Sequence, residues 1–485
     1  MYGIRFDPAS PLSQYRQLVD GLRSLILDGA LSGDAKLAST RELAASLKIA
    51  RAVVLEAVDQ LKMEGYLFTK RGSGTYVCPN LRFRAETAPG PLSRASRPDA
   101  DPRGTAPASE SPLSFAPGLP DVGLFPRRAW LSCYREAVEY AADTDLGYAP
   151  PSGRWDLRVA IASYLLAAKG IRTGPERIIV TAGSSQAFAM LAQIVPNPRI
   201  AMENPRAPFV FRVFDGLGAT ITDCPVDEGG IVCDLLPTEP PQYLYVTPNH
   251  QFPLGGTLSA ARRVALLEYA RRTGAWIVED DFDSEYRYSG NPVTPLAAMD
   301  ASRVAYVGSF SKTLSPALRL GFMALPPGLS AGVKTLKRRW DLWNEGFQQK
   351  ALALFIARGQ LERHVRHCRS VYAGRNAFTL ALASKYLSPR WTVFGSTTGM
   401  HLSLRRSPDS GAGARDLTPL VRLVRGRGFV VELASDYYRP AGPADSRFRD
   451  ILLVGYGNRG EGELEALFAS IAECDAALSG RSPSR

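Results

Sequence analysis

The sequence predicts a multidomain chain: a small α+β head made of a helix-turn-helix and a hairpin, then a large α/β domain ending in a smaller C-terminal α+β subdomain. Three observations predict it. Residues 1–80 hold helical stretches separated by tight turns, followed by two short β-rich runs. From about residue 114, strand-like apolar runs (178–181, 243–247, 276–279, 304–308) alternate with helical stretches, as βα units do. Between them, over 81–113, prolines 89, 91, 98, 102, 107 and 112 mix with Ser, Ala, Gly, Arg and Asp, and almost nothing apolar recurs. Such a segment cannot bury a core and is expected to be a mobile or semi-extended tether.

In the head, Leu18, Leu22, Leu25 and Ile26 fall at helical spacing within 11–27. A Gly-bearing turn leads to the helix 39–47, with Ser39 as N-cap and Glu42 three residues on. The turn Lys48-Ile-Ala50 opens a second helix over 51–63. Two short helices joined this way read as helix-turn-helix, the second entering the DNA major groove. Tyr66 to Val77 reads as a hairpin whose tip, Lys70-Arg-Gly-Ser-Gly74, is basic and suited to phosphate or minor-groove contact. Candidate DNA contacts are Ser39, Arg41, Arg51, Lys70, Arg71, Gly72, Ser73 and Gly74.

This segment resembles the GntR-type winged helix. The matches are Leu37, Ser39, Arg41, Arg51, Glu64-Gly-Tyr66 and Gly72-Ser-Gly-Thr-Tyr-Val77. The departures are Ala38 for proline, Lys48 for glycine and Ala50 for the serine that caps the recognition helix, a loss worth about 1 kcal/mol.

In the large domain, an apolar run ends in Ser309-Phe-Ser-Lys312, and Arg319 follows. Desolvation at a strand mouth favours a neutral lysine, which can form a Schiff base with an aldehyde. Hydroxyls and an arginine clamp a phosphate. Together they suit pyridoxal 5′-phosphate. Upstream, Ala275-Trp-Ile-Val-Glu-Asp-Asp-Phe-Asp283 is a strand ending in acids at the edge where α/β proteins bind ligands. Asp280 is the candidate carboxylate for the pyridine nitrogen, which it keeps protonated.

These segments resemble fold-type I pyridoxal phosphate enzymes, the aspartate-aminotransferase superfamily, over about 114–475. Gly147-Tyr-Ala-Pro-Pro-Ser-Gly-Arg-Trp-Asp-Leu-Arg158 and Thr181-Ala-Gly-Ser-Ser-Gln-Ala187 look like two of its motifs, the second a phosphate-cradling turn at a helix N-terminus. The resemblance implies that Gly183, Ser184, Ser185, Ser309 and Arg319 hold the phosphate and that Lys312 is the Schiff-base lysine. It also implies that Tyr148 reaches the cofactor of a partner subunit, hence a homodimer. The smaller subdomain would begin at about 345 and run to 475.

A winged helix ahead of such a domain is the layout of the MocR/GabR-type transcriptional regulators. Phe115-Ala-Pro-Gly-Leu-Pro-Asp121, Leu124-Phe-Pro126, Thr247-Pro-Asn-His-Gln-Phe-Pro-Leu-Gly255 and Glu279-Asp-Asp-Phe-Asp-Ser-Glu285 look like their stretches. Several positions depart from the aminotransferases. Phe252 replaces the asparagine that meets the cofactor's phenolic oxygen, and Phe282 replaces a tyrosine carried there by many regulators; His250 is the candidate substitute. Ala207 stands where an aromatic stacks on the ring in relatives, with Phe209 able to supply one. Leu453, in Ile451-Leu-Leu-Val-Gly-Tyr456, stands where aminotransferases hold the substrate carboxylate with arginine.

Composition fits this reading. Formal net charge is +11 and the pI about 9.4, which suits a nucleic-acid partner. Residues 1–80 carry ten Lys/Arg against eight Asp/Glu, so charge facing DNA is placed rather than massed. Cysteines 78, 133, 224, 233, 368 and 474 form no Cys-x-x-Cys pattern, so neither a zinc site nor a disulfide framework is indicated. No signal peptide or membrane-length apolar span appears, and a cytoplasmic protein is expected. The expected function is a pyridoxal phosphate-dependent regulator that binds operator DNA and senses the cofactor or an amino compound. The alternative is a working aminotransferase whose head autoregulates its own gene; a third reading is a regulator that has lost the cofactor.

Overall fold

The computed structural model describes residues 2–10, 12–79, 112–290, 293–341, 345–407, 416–441, 445 and 447–479. Most of the expected tether therefore lies outside the described residues. The chain divides into two compact units, 1–106 and 107–485.

The first unit is three helices and a hairpin: α1 Gln14–Leu27, α2 Thr40–Leu47, α3 Arg51–Met63, β1 Leu67–Lys70 and β2 Gly74–Val77. The apolar stripe of α1 (Leu18, Val19, Leu22, Ile26) meets Leu43 of α2 and Val54, Ala57, Val58 and Leu61 of α3, with Leu67 and Val77 closing the core. Ser13 and Ser39 cap α1 and α2, Ser39 in a full capping box with Glu42. Lys48 ends α2 in the left-handed region at φ 54°, ψ 42°, where a Cβ costs roughly 1–2 kcal/mol.

Ala50 begins α3 at φ −62°, ψ 135°, without a side-chain cap. Its backbone resembles that of Ser13 and Ser39 (φ −60°, ψ 154° and 153°), so a serine there would find the same acceptor geometry. Ala50→Ser is expected to stabilise the head by about 1 kcal/mol. An unchanged denaturation midpoint for the head's transition would contradict this.

The second unit is built on an eight-stranded sheet. In chain order its strands, with the short β3 Leu113–Ser114 set aside, are β4 Ile178–Thr181, β5 Arg199–Asn204, β6 Thr220–Asp227, β7 Gly230–Ile231, β8 Tyr243–Val246, β9 Trp276–Asp281, β10 Val304–Ser309 and β11 Gly321–Ala324. They lie in the order β4-β11-β10-β9-β8-β5-β6-β7. β11 runs antiparallel to both neighbours, so β4 points the same way as the parallel strands β10, β9, β8 and β5. Alternate residues face two different cores: Ile178, Val180, Ile277 and Tyr306 one, Ile179, Val278, Ala305 and Val307 the other. A sheet covered on both faces explains why these strands read as continuous apolar runs rather than alternating ones.

The C-terminal part adds an antiparallel sheet of β12 Trp391–Phe394, β13 His401–Arg406, β15 Glu432–Leu433 and β16 Ile451–Gly455, while β14 Phe429–Val430 pairs with β3. Phe115, Leu402, Leu404, Leu452 and Val454 belong to its separate core. The helix Gly346–Ala357, at the start of the expected smaller subdomain, instead sends Ala351, Leu352 and Phe355 into the first core of the large sheet. No described helix is long and apolar enough to cross a membrane.

Candidate functional site

The strand directions bring the candidate groups to one edge. Ser309 pairs with Gly321 and Gly321 with Thr181, so the ends of β10 and β4 lie in one row across β11. Beyond Thr181, Gly183 turns the chain at φ 95° into helix α7, Ser184–Gln193. Among the described residues no side chain caps this helix, which leaves its first N–H groups to an anion. Arg319, at φ 48°, folds back over the turn, and its Nη2 donates to Ala182 O at 2.6 Å. A Cβ on Gly183 would stand 2.9 Å from that Nη2, and the φ of 95° is a backbone conformation that glycine adopts without strain. Gly183, Ser184, Ser185, Ser309 and Arg319 are thus together.

Lys312 lies half-buried in the turn after β10, and its Nζ donates to Gly118 O at 2.6 Å. Tyr286 donates its hydroxyl to the backbone carbonyl of Lys312 at 3.0 Å, which pins the turn. Asp280, on β9 beside β10, is buried and accepts from the Tyr245 hydroxyl at 2.8 Å. Burial pushes its carboxyl up to about 7, against the Tyr245 hydrogen bond and the nearby Lys312 charge. A cationic N–H placed against Asp280 would restore the carboxylate by supplying the missing opposite charge.

The other wall is aromatic. Phe252, preceding a cis proline, meets Phe282 edge-on at 5.7 Å and Tyr437 at 5.3 Å. His250 is buried with its Nδ1 on Asp283 at 2.8 Å. Phe209 packs on Phe188 at 6.4 Å, and Ala207 stands at the N-cap position of the helix α8, Pro208–Gly216, without a capping side chain. Leu453 is fully buried in the apolar core that holds Leu254, with Phe394 and Phe448 packed against it. Tyr148, between α5 Asp143–Leu146 and α6 Trp155–Lys169, is 79% exposed.

Sequence reasoning missed Tyr245, Tyr286, His401 and the carbonyl of Gly118. Tyr245 reaches Asp280 only through the register of two strands remote in sequence. Gly118 belongs to a segment noted for its resemblance alone. Asp283 was visible in the acid cluster, but only packing shows that it serves His250.

In the head, Arg41 and Arg51 are exposed in the first turns of α2 and α3. At the tip, Lys70 lies over the Tyr76 ring at 4.7 Å, Ser73 Oγ is 2.6 Å from the Tyr76 hydroxyl, and Gly72 and Gly74 take positive φ. Ser39, Lys70, Arg71, Gly72, Ser73 and Gly74 are all exposed.

Residues 14–77 match the gntR family of bacterial regulatory proteins, and residues 125–424 match aminotransferase class I and II. The chain is 35% identical over 409 residues to the probable rhizopine catabolism regulatory protein MocR of Rhizobium meliloti, covering 82% of this chain and 83% of that protein. It is 32% identical over 473 residues to the HTH-type pyridoxine biosynthesis transcriptional regulator PdxR of Corynebacterium glutamicum, covering 97% and 98%. The chain belongs to the MocR/GabR-type transcriptional regulators. Pyrococcus horikoshii kynurenine aminotransferase superposes on this regulator with a TM-score of 0.68 at 26% identity, over 76% of this chain and 91% of that one. The MocR-type chain is a DNA-binding regulator with an aminotransferase-like domain that binds pyridoxal 5′-phosphate. The residues fit that group: a lysine at the sheet edge, a buried carboxylate one strand away, and a helix start, without a side-chain cap among the described residues, where a positive-φ glycine lies under Arg319.

Proposed function

We propose that pyridoxal phosphate, held covalently by Lys312, or an amino compound that competes for it, shifts this regulator between two arrangements of its DNA-binding heads. An effector need only favour one arrangement over the other to do so. Asp280 holds a proton at the ring nitrogen; Gly183, Ser184, Ser185, Ser309 and Arg319 take the phosphate. When bound, the cofactor supplies an electrophilic carbon and an electron sink. The single observation that carries the reading is the meeting of Lys312, Asp280 and the α7 N-terminus at one sheet edge in a chain headed by a winged helix.

The acting form is a cytoplasmic homodimer in which Tyr148 approaches the partner's cofactor. Exposed apolar groups on α4 Arg127–Glu139, α5 and α6 and between them support a second copy there: Leu131, Val138, Leu146, Tyr148 and Trp155. Ser39, Arg41, Arg51 and the tip from Lys70 to Gly74 meet operator DNA. Arg41→Ala and Arg51→Ala should each weaken binding by roughly 1–3 kcal/mol where the arginine reads a base. The test is a gel shift at fixed salt on duplexes selected by the wild-type protein from random sequence. Wild-type affinity in both variants would refute this placement. The intact Lys312–Asp280 arrangement also favours a second reading, a working aminotransferase with an autoregulatory head, which turnover measurements decide.

A further inference from the structure

His250 is 2% exposed, and its Nδ1 stands 2.8 and 2.9 Å from the two oxygens of the buried Asp283. A carboxylate only accepts, so Nδ1 carries the proton of this bond and Nε2 is the remaining functional nitrogen. That Nε2 is buried and has no hydrogen-bond partner among the described residues, an arrangement folding disfavours unless a water or a ligand completes it.

The ring is held so that Nε2 cannot turn elsewhere. Phe282 stacks on it at 5.6 Å and 26°, and His401 lies against it at 4.9 Å. Gly399, at φ 86°, leaves the space: a Cβ there would overlap His250 Cε1 and stand 2.7 Å from Asp283 Oδ2. The Gly399 carbonyl is fixed in turn by the hydroxyls of Tyr456 and Tyr288.

This ring belongs to the Lys312 site. Lys312 Nζ is on Gly118 O, Gly118 borders the Phe252 ring, and Phe252 touches both Phe282 and His401. The Lys312 charge acts on Asp280 and on His401. The nearby tyrosine hydroxyls are already committed, Tyr245 to Asp280 and Tyr286 to the Lys312 carbonyl. His401 gives its Nε2 to Pro253 O at 2.8 Å, and burial holds its ring neutral, near 3. Its Nδ1 can therefore only accept. Among the described residues, Asp283 and His401 act directly on His250; Asp281 and Glu285 act on Asp283, Lys312 acts on His401, and Asp283 acts in turn on Asp280.

A pyridoxal ring carries its 3-hydroxyl on the ring carbon next to the one that bears the aldehyde, the carbon the lysine bonds, with the ring nitrogen across the ring from that aldehyde-bearing position. A ring joined to Lys312 with its nitrogen at Asp280 thus brings the 3-oxygen close to the lysine. We propose that His250 Nε2 takes the proton of that 3-hydroxyl and returns it as a hydrogen bond to the oxyanion. Asp283 is the positioning residue that orients the ring and balances the charge formed on it. The proposal rests on Lys312 being the cofactor lysine.

The test is a pH titration of the visible spectrum of cofactor-loaded, dialysed full-length protein: wild type, His250→Phe, His250→Gln and Asp283→Asn. The hydrogen bond favours the high-pH form, in which the oxygen bears uncompensated charge. Its loss in His250→Phe, which retains an aromatic ring against Phe282, should raise the midpoint by about one unit, equivalent to ~1.4 kcal/mol. Asp283→Asn should shift it in the same direction, and His250→Gln, whose amide can donate, should fall between. An unmoved midpoint in His250→Phe overturns the proposal; if that variant does not fold, an unmoved midpoint in Asp283→Asn does so. A wild type with no lysine-bound band overturns the Lys312 reading and this proposal with it. A wild-type band with unmoved variant midpoints overturns this proposal alone.

Discussion

Lys312→Ala is expected to abolish the yellow band that pyridoxal phosphate gives the purified protein while leaving its secondary structure intact. Lys312 stands in a turn at the carboxyl edge of the sheet, where its amine can meet a ligand. Lys169 is the instructive comparison. It is buried near the same acids, but its Nζ is 3.1 Å from Asp281 and 2.8 Å from Glu285. Burial works against its charge, yet the two carboxylates outweigh it and raise its pKa, so its amine stays protonated and is no nucleophile. The half-buried Lys312 Nζ donates to the Gly118 carbonyl, and truncation to alanine removes the reactive amine. Absorbance after loading and dialysis, beside circular dichroism, reads both halves of the prediction. A band retained by the variant would refute the assignment.

Steady-state transamination is expected to run far below the ~10 s⁻¹ median turnover of enzymes. The aminotransferase resemblance leads to an arginine for the substrate carboxylate at Leu453, and the structure shows Leu453 buried in an apolar core, opposite Ser403 and Glu432 in neighbouring strands. Phe252 likewise offers a ring where an amide is expected. A charge-assisted hydrogen bond is worth around 1.5–3 kcal/mol, so losing the arginine alone weakens substrate binding by about one to two orders of magnitude. A sensor that consumed its effector would also erase its signal. Assays with common amino acids and a 2-oxo acid acceptor decide the matter; turnover at ordinary enzyme rates would favour the working aminotransferase.

What is local in this chain is legible residue by residue. Helical spacing, the Ser39–Glu42 box and the glycines of the tip specify the head, because caps and turns are set by neighbours a few residues apart. Apolar runs ending in Asp280 and Lys312 announced strands and a cofactor because a strand buried on both faces must be apolar and its end must be polar. The tertiary structure decided what depends on register. The placement of Tyr245 on Asp280, of Thr181 and Ser309 across β11, and of Gly118 over Lys312 joins residues tens to nearly two hundred positions apart. The same holds for His250, a Pro-flanked loop histidine in sequence, which packing against Asp283, Phe282, His401 and Gly399 turns into a buried dyad with one nitrogen left to use. No spacing rule encodes such contacts, because they form only when separate strands and the smaller sheet close on one another.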